Sequence, residues 1–319
     1  MCSTFARGPA RGRWALAPAL LVAALAAAGC GAGAGSKPAG TRLTVTQDFG
    51  ARTDRRLEAP KVSGSETVMR LLQRNAKVTT RFGGGFVQSI DGIAGGRREG
   101  RPFDWFFYVN GVEASAGAAS VRLHPGDRIW WDRHDWGAAM RVPAVVGSFP
   151  EPFLHGSGGR RLPVRIECAN PAAAACDEVF KAMNALDIPA AKGGLGTAQV
   201  EDSLRVVVGP WVAARDDHAL RQLEAGPARS GVYARPSADG RRIVALDARG
   251  RPVRTLGAGT GLIAATRAGD EPPVWAVTGT DDVGVAAAAR SLTERALGRR
   301  FAVAISGGRP VALPEDPAA

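Results

Sequence analysis

The chain has 319 residues, of which 45% are hydrophobic and 22% are charged. This length accommodates about two domains of ordinary size, and the hydrophobic content excludes an intrinsically disordered chain. The formal net charge is +11, but only five of the 41 basic residues are lysines and no three basic residues are consecutive. Clustered basic patches are typical of nucleic-acid-binding proteins, so the composition predicts no nucleic acid partner.

The first 29 residues have the organisation of a secretory signal peptide. Three arginines and no acidic residue precede an uncharged apolar run over residues 14–29. This run is too short and too rich in alanine for a membrane-spanning helix. Cys30 follows Ala27-Ala28-Gly29, which resembles the lipobox of bacterial lipoproteins, with Ala27 at the position that Leu usually holds. The resemblance implies that residues 1–29 are removed and that Cys30 carries the lipid; a plain secretory signal is the alternative.

Residues 30–41 are rich in Gly and Ala and predict a flexible tether between the lipid and the folded part. Two or more acyl chains hold a protein stably on a bilayer, whereas a single chain binds it only marginally. We therefore expect an extracytoplasmic protein that is anchored to the cell membrane as a lipoprotein. Loss of the leader with its three arginines leaves a formal charge of +8, which favours attraction to anionic lipid or wall polymer.

The remaining cysteines predict a disulfide bond. Cys2 leaves with the leader and Cys30 is used for the lipid, so Cys168 and Cys176 form an even pair in an oxidising compartment. Cys168 ends a predicted strand, and Cys176 lies in the first turn of a predicted helix, on the same face as Val179. A zinc site is disfavoured because no histidine lies at ligand spacing, and a redox pair more often has the spacing Cys-x-x-Cys.

Residues 42–136 predict a compact α+β domain. Residues 42–47 alternate as a half-buried strand does, and a helix is expected after Ser65, with Val68, Leu71 and Leu72 on its apolar face. Tight turns such as Asn110-Gly111 separate several short predicted strands, at 87–90, 105–109, 121–123 and 128–131. One helix among short strands is typical of a small mixed sheet wrapped on a helix, as in the β-grasp arrangement, although the spacing alone does not single out that fold.

Two motifs in this region carry a family resemblance. The segments Asp104-Trp-Phe-Phe-Tyr-Val-Asn-Gly111 and Leu123-His-Pro-Gly-Asp-Arg-Ile-Trp130 resemble the domain shared with the C-terminal part of transcobalamin and intrinsic factor, which also occurs in bacterial envelope proteins without assigned activity. The resemblance covers residues 42–136 and implies a β-grasp fold and a non-catalytic binding role. In the animal relatives this domain closes over cobalamin, whose other face lies on a large helical toroid. This chain has no room for a toroid, so a separate helical partner protein or an uptake transporter would supply that half.

Aromatic residues of this domain are candidate ligand-binding residues. In a strand, Trp105 and Phe107 lie on one face and Phe106 and Tyr108 on the other, so one of these sets is core. Neighbouring tryptophans 130 and 131 also point in opposite directions, and at least one of them is expected to be exposed. The rings that could stack a flat ligand or anchor a protein partner are Trp105, Tyr108, Trp130, Trp131 and Trp136. The simpler interpretation is that they form the core, and His134 is expected to be a solvated loop residue rather than a metal ligand.

The rest of the chain predicts a linker over 137–162 and a second domain over 163–319. The linker contains three prolines and a Gly-Ser-Gly-Gly stretch. Strands and helices then alternate, which indicates an α/β domain of unknown role. The Gly-rich segment 257–261 is interpreted as a turn because no helix follows it, and Asp281 and Asp282 as capping residues at the start of a helix.

The sequence therefore predicts a non-catalytic protein that binds a ligand at the cell surface and possesses no cofactor of its own. The leading hypothesis is capture or uptake of a corrinoid or a similar small ligand, and the alternative is a module that holds envelope proteins together. Hydrolase signatures such as G-x-S-x-G and H-E-x-x-H are missing from the sequence. Carboxylate pairs such as Asp216-Asp217 leave a cell-wall hydrolase as a third hypothesis, since glycosidase acids need no motif.

Overall fold

The computed structural model describes residues 40–59, 62, 64–198 and 200–318. All of them belong to one compact unit. The predicted signal peptide, the lipidation site Cys30 and nearly all of the predicted tether lie outside the described residues. No helix among the described residues is long and apolar enough to cross a membrane.

The described residues of the N-terminal part, residues 40–135, contain one α-helix and nine strands. In chain order these are β1 (Thr41–Gln47), β2 (Arg52–Ala59), α1 (Val68–Asn75), β3 (Val78–Arg81), β4 (Phe86–Ile90), β5 (Ile93–Ala94), β6 (Gly96–Arg98), β7 (Arg101–Val109), β8 (Val112–Glu113) and β9 (Arg128–Asp135). The larger sheet has the order β2-β1-β9-β7-β6, with β8 paired to β7, and β3, β4 and β5 form a small separate sheet. Strands β1 and β9 are parallel, with Leu43 opposite Ile129, and the other pairs of the larger sheet are antiparallel.

Helix α1 packs on one face of the larger sheet. Thr67 caps the helix by accepting a hydrogen bond from the Arg70 backbone N–H at 3.3 Å. The helix then buries Val68, Met69, Leu71 and Leu72, which agrees with the apolar face predicted from the sequence. This face forms a core together with β-strand residues that include Leu43, Val45, Trp105, Ile129 and Trp131.

The C-terminal part, residues 164–318, mixes parallel and antiparallel strands. Its elements are β10 (Val164–Cys168), α2 (Ala174–Asn184), β11 (Ala190–Gly194), β12 (Leu204–Pro210), α3 (Trp211–Ala214), α4 (Pro227–Ser230), β13 (Ala234–Pro236), β14 (Ile243–Leu246), β15 (Pro252–Leu256), β16 (Gly261–Thr266), β17 (Val274–Gly279), α5 (Asp282–Arg290), α6 (Glu294–Leu297), β18 (Ala302–Ser306) and β19 (Arg309–Leu313). The seven-stranded sheet has the order β11-β10-β12-β17-β16-β18-β19. Its first four strands are parallel and its last three are antiparallel. The chain is therefore an α+β protein.

Two hydrophobic cores contain residues of the seven-stranded sheet. One includes apolar residues of α2 and α5, such as Val179 and Val285, together with Trp275. The other includes residues of the small β13-β14-β15 sheet and, from the N-terminal part, Tyr108 and Trp130. The N-terminal sheet thus has a covering layer on both faces, because α1 covers one and the C-terminal part covers the other.

The connecting segment, residues 136–163, differs from the linker predicted over 137–162. Val145, Val146 and Phe149 are buried in the cores of the C-terminal part. The Val145 N–H donates to the Gly111 carbonyl at 2.8 Å, and the Val146 N–H donates to the Phe301 carbonyl at 3.1 Å. The segment is therefore packed between both parts, because its apolar residues fill the contact between them.

Candidate functional site

Two of the five predicted ligand-binding rings lie in the core beneath α1. Trp105 and Trp131 are both buried, and Trp131 stacks on Phe107 with ring centroids 4.7 Å apart. The Trp105 Nε1–H donates to the Ile93 carbonyl at 2.9 Å, which satisfies the only polar atom of that side chain. These two rings stabilise the fold.

Tyr108 and Trp130 lie in the core shared with the C-terminal part. Their exposed fractions are 0% and 3%, and the Phe301 ring lies 5.7 and 5.2 Å from their ring centroids. The Trp130 Nε1–H donates to the Thr46 hydroxyl at 2.6 Å. The prediction that Trp130 or Trp131 is exposed is wrong, because the C-terminal part covers the second face of the sheet.

Trp136, the fifth predicted ring, is half-buried. Its Nε1–H donates to the Asp104 carboxylate at 2.9 Å. Burial raises the pKa of Asp104, against the lowering effect of this hydrogen bond. The five rings accordingly form no common exposed face, and a flat ligand has no stacking surface made of them.

His134 is a core residue, in contrast to the solvated residue expected. It is 1% exposed, and its ring stacks on Phe106 at 4.5 Å. Its Nδ1 lies 2.8 Å from Asp132 Oδ1, and the same carboxylate accepts the backbone N–H groups of Phe49 and Gly50 at 3.0 and 2.8 Å. Among the described residues, no group of three or more His, Cys, Asp or Glu side chains could hold a metal ion.

Asn110 and Asp127, polar residues of the two sequence motifs, connect neighbouring turns by hydrogen bonds. The Asn110 side-chain amide donates to Asp127 Oδ1 at 2.8 Å and to the Gly156 carbonyl at 2.7 Å. Asp127 Oδ2 accepts the His124 backbone N–H at 2.7 Å, and burial raises the pKa of this carboxyl group. Both motif residues therefore connect the turns of the N-terminal sheet to the connecting segment.

The disulfide between Cys168 and Cys176 is present, with a Cα–Cα distance of 6.0 Å. It joins the last residue of β10 to the first turn of α2, as the sequence predicts. Capping of α5 by Asp281 is also confirmed, since its carboxylate accepts the N–H groups of Gly284 and Gly259 at 2.8 and 2.7 Å. These two hydrogen bonds lower the pKa of Asp281.

Asp216 and Asp217 do not form a pair of available carboxylates. Asp217 Oδ2 is paired with Arg205, and its Oδ1 accepts the N–H groups of Ala219 and Leu220, each at 3.0 Å. Asp216 is exposed and lies 3.9 Å from Arg221 Nη2. Since both oxygens of Asp217 are occupied, this pair offers no acid and base for hydrolysis in the arrangement seen.

A cleft of about 240 Å³ lies where the N-terminal sheet meets the connecting segment and α6. Five arginines line it, and among the described residues Glu294 is the single acidic side chain on its wall. We call it the arginine cleft, and its arginines are Arg42, Arg56, Arg128, Arg295 and Arg299. The excess of positive charge in a concave site raises the local concentration of anions.

The strand register of the N-terminal sheet brings three of these arginines together. Arg42 on β1 is the parallel partner of Arg128 on β9, and Arg56 on β2 lies opposite Thr44 on β1. Arg128 Nη1 donates to the Phe149 carbonyl at 2.5 Å, which orients its side chain. The three side chains share one face at the start of β1, beyond the aromatic core of that face.

The charges of the arginine cleft are only partly compensated. Arg128 pairs with Glu294 at 2.5 Å and Arg42 contacts Glu58 at 3.4 Å. The buried Nε–H of Arg42 has no hydrogen-bond partner among the described residues. Burial and the neighbouring Arg299 lower the pKa of Arg300 beside the cleft. The site therefore suits a ligand with several negative charges and several acceptor oxygens.

Sequence reasoning missed the arginine cleft because its residues come from distant segments. Arg42 and Arg56 belong to the first hairpin, whereas Arg295 and Arg299 follow α5 near the far end of the sequence. A count of arginines indicates charge but gives no position in space. The one available signal was the alternation of Arg42, Thr44 and Thr46 along β1, which indicates a polar face.

Residues 65–135 match the model of a family described as a domain of unknown function (DUF4430). The matched region begins just before α1 and ends at the last residue of β9, so it excludes β1, β2 and the whole C-terminal part. No curated protein matches the chain significantly. A recognised domain is therefore established for this region, and its relation to the transcobalamin family stays a prediction.

Proposed function

We propose that this is a non-catalytic binding protein at the cell surface that captures a multiply charged oxyanion in the arginine cleft. The observation that carries the proposal is the set of five arginines around one concave site, opposed by a single glutamate among the described residues. Guanidinium groups bind phosphate, sulfate and carboxylate oxygens through two parallel hydrogen bonds. Phosphate compounds are the ligand class that fits best, because they combine high charge with several acceptor oxygens.

We also propose that the DUF4430 region forms a β-grasp unit together with β1 and β2. The support is the order β2-β1-β9-β7, the parallel pairing of the first and last strands, and the packing of α1 on one face. In this unit β1 and β9 supply the wall of the arginine cleft that holds Arg42 and Arg128. We therefore propose that a ligand of this unit binds at the end of the sheet rather than on its aromatic face.

Lipidation of Cys30 would place the arginine cleft close to a membrane. Ten residues lie between Cys30 and Thr41, so an extended chain from one to the other spans at most about 40 Å. Arg42 on the cleft wall follows immediately. The phosphate groups within reach are those of lipid headgroups, of wall polymers and of small compounds outside the cell, and the charge of +8 after loss of the leader favours all three.

The oxyanion proposal is tested with the full chain in detergent by calorimetric titration with pyrophosphate. The double variant Arg56→Gln/Arg295→Gln removes two exposed cleft charges and should weaken binding at least tenfold. The matched control Arg165→Gln/Arg309→Gln removes the same charge from exposed sites outside the cleft and should leave affinity within a factor of two. Equal loss in both variants, or no pyrophosphate binding by the unaltered chain at low salt, contradicts the proposal.

The source of the phosphate is tested by comparing pyrophosphate with vesicles that contain an anionic phospholipid. A lipid ligand requires vesicle binding that is lost in Arg56→Gln/Arg295→Gln and retained in the control variant. If the ligand is a soluble phosphate, pyrophosphate binding should be lost in Arg56→Gln/Arg295→Gln and retained in the control variant. Vesicle binding should then be equal in these two variants.

The membrane anchor is tested by Cys30→Ser. This variant should appear in the medium instead of the membrane fraction, because the thioether to the lipid cannot form. Unchanged membrane retention contradicts the lipoprotein proposal and favours a different anchor.

A corrinoid ligand and an envelope protein partner remain alternative proposals. The corrinoid proposal rests on the sequence resemblance, since Trp105, Tyr108, Trp130 and Trp131 are buried. Mixing the full chain with cyanocobalamin, with and without a helical partner, should change the visible spectrum of the corrinoid if it binds. An unchanged spectrum in both mixtures ends this proposal and leaves that of the oxyanion unaffected.

A further inference from the structure

A second pocket, of about 290 Å³, lies at the carboxyl ends of the parallel strands of the seven-stranded sheet. It is bounded by the ends of β10 and β12 and by the first turns of α2 and α5. Its volume is close to the lower limit of about 300 Å³ that is usual for small-molecule sites. The residues that matter for its chemistry are Asn170, Ala174, Cys176, Val208, Asp282 and Val285.

The order of the strands opens a crevice at this place. From β10 the chain continues through α2 to β11 on one side, whereas β17 lies on the other side of β12. The helices that follow β10 and β12 lie on opposite faces of the sheet, since Val179 of α2 and Trp211 of α3 belong to different cores. Connections that diverge in this way leave a gap between the strand ends, and sheets of this kind bind ligands there.

The pocket is open to solvent at its mouth and apolar at its base. Asn170, Ala174 and Asp282 are exposed. Val208 and Val285, in contrast, are each 3% exposed and form the base. Among the described residues that line the pocket none is aromatic, so the wall suits an aliphatic chain rather than a stacked ring.

The disulfide fixes the shape of this pocket. Cys176 belongs to the wall, and its bond to Cys168 ties the first turn of α2 to the end of β10. A site whose walls are held in place before binding loses less conformational freedom when the ligand enters. The two elements that form one side of the pocket are therefore preorganised.

Asp282 is the single charged side chain among the described residues of the wall. No described residue forms an ion pair with it, and the neighbouring Asp281 already accepts two backbone N–H groups. The uncompensated negative charge attracts a cation and repels an anion. The positive end of the α2 dipole also lies at the pocket, which directs a cation towards the α5 side.

We propose that this pocket binds a short-chain aliphatic amine. Its hydrocarbon chain packs on Val208 and Val285, and its ammonium group lies beside Asp282 at the mouth. The exposed carboxylate of Asp282 is reached without any movement of the walls, and the hydrocarbon chain displaces water from the apolar base.

The proposal is tested by NMR of the full chain in detergent with labelled Val methyl groups. Titration with butylamine should shift the methyl signals of Val208 and Val285 in a saturable way. Affinity should rise about threefold for each methylene group from propylamine to pentylamine, because each added group is buried. Pentanoate should not shift these signals, since it carries the same charge as Asp282. Absence of saturable shifts, or equal affinity for pentanoate and butylamine, overturns the proposal.

Two variants separate the shape of the pocket from its charge. Ala174→Leu narrows the mouth and should lower butylamine affinity about tenfold. The matched control Ala185→Leu makes the same change at the exposed far end of α2 and should leave affinity unchanged. Asp282→Asn keeps the size of the side chain and removes its charge, so butylamine affinity should fall about threefold while butanol affinity stays the same.

Unchanged butylamine affinity in Ala174→Leu or in Asp282→Asn contradicts the assignment. The methyl spectrum of each variant without amine shows whether it is folded. If a variant is not folded, the series of amines and pentanoate decides with the unaltered chain alone. Arg56→Gln/Arg295→Gln should bind butylamine as the unaltered chain does, which distinguishes this pocket from the arginine cleft.

Discussion

Asp132 is the residue that organises the contact between the N-terminal sheet and the loop after β1. Its fully buried carboxylate accepts from the Thr46 hydroxyl at 2.5 Å and from the backbone N–H groups of Phe49 and Gly50, and it contacts His134. These partners hold the loop so that the Phe49 ring reaches Phe301 at 5.0 Å. The buried carboxylate of Asp132 therefore has a structural role.

Removal of this carboxylate should be strongly destabilising. Asp132→Ala leaves two buried N–H groups without acceptors, and the free energy of unfolding should fall by about 3 kcal/mol. Thr46→Val keeps the carboxylate but removes one of its donors and the acceptor of the buried Trp130 Nε1–H, so its effect should be smaller, about 2 kcal/mol. Urea denaturation followed by tryptophan fluorescence measures both values. A loss below 1 kcal/mol for Asp132→Ala would show that the carboxylate is not the organising group.

His155 should make stability depend on pH. Its Nδ1 lies 2.5 Å from Glu151 Oε1, and this hydrogen bond raises the pKa of His155 above its ordinary value of 6.5. Because the pKa is raised in the folded state, the stabilisation is fully present below about pH 6.5 and is lost as the pH rises through the folded-state pKa. The difference in unfolding free energy between the unaltered chain and His155→Gln should thus shrink from pH 6 to pH 9. A difference that stays constant over this range contradicts the assignment.

The strands show which part of the structure a sequence can predict. Alternation along β7 and β9 correctly places Trp105 on the face opposite Tyr108, and Trp130 opposite Trp131, because side chains of a strand alternate. The same alternation cannot say what lies over each face. The face that carries Tyr108 and Trp130 is covered by Phe301 and Tyr233, which belong to segments distant in the sequence. Local patterns predicted helix α1, the disulfide and the cap of α5, whereas the burial of His134 and the arginine cleft depend on long-range packing.

The disulfide should stabilise the junction of β10 and α2. In the chain-entropy model, a bond between Cys168 and Cys176 contributes about 2–3 kcal/mol for so short a loop. The variant Cys168→Ser/Cys176→Ser should lose this amount in urea denaturation. The unaltered chain under reducing conditions should show the same loss, which serves as the control. Equal stability of the oxidised chain and the double variant would contradict the expected contribution.

At the scale of the whole molecule, the two parts and the connecting segment share a core, and we expect them to unfold as one unit. Tyr108 and Trp130 from one part and Phe301 from the other belong to a single core. Backbone hydrogen bonds from Val145 and Val146 reach Gly111 and Phe301, which ties the connecting segment to both. Motion between the parts is therefore not expected, since relative motion requires an interface with little apolar contact.

A single cut in the connecting segment should leave the two fragments bound to each other. A protease site inserted between Gly158 and Gly159, at an exposed turn, separates the strands of the two parts without touching the shared core. The fragments should elute together in size exclusion chromatography after cleavage, with a melting temperature that now depends on concentration. Separate elution of folded fragments would instead establish two independent domains.

Because the C-terminal part covers one face of the N-terminal sheet, that face stays exposed while the rest of the chain is synthesised. Strands β1 to β9 are complete long before Phe301 is synthesised, so Tyr108 and Trp130 have no cover during most of translation. Contacts of such high sequence separation form slowly and are sensitive to early termination. A stop codon upstream of Phe301 would accordingly damage the first sheet as well as the second, and the cell would have to shield this face until the last strands arrive.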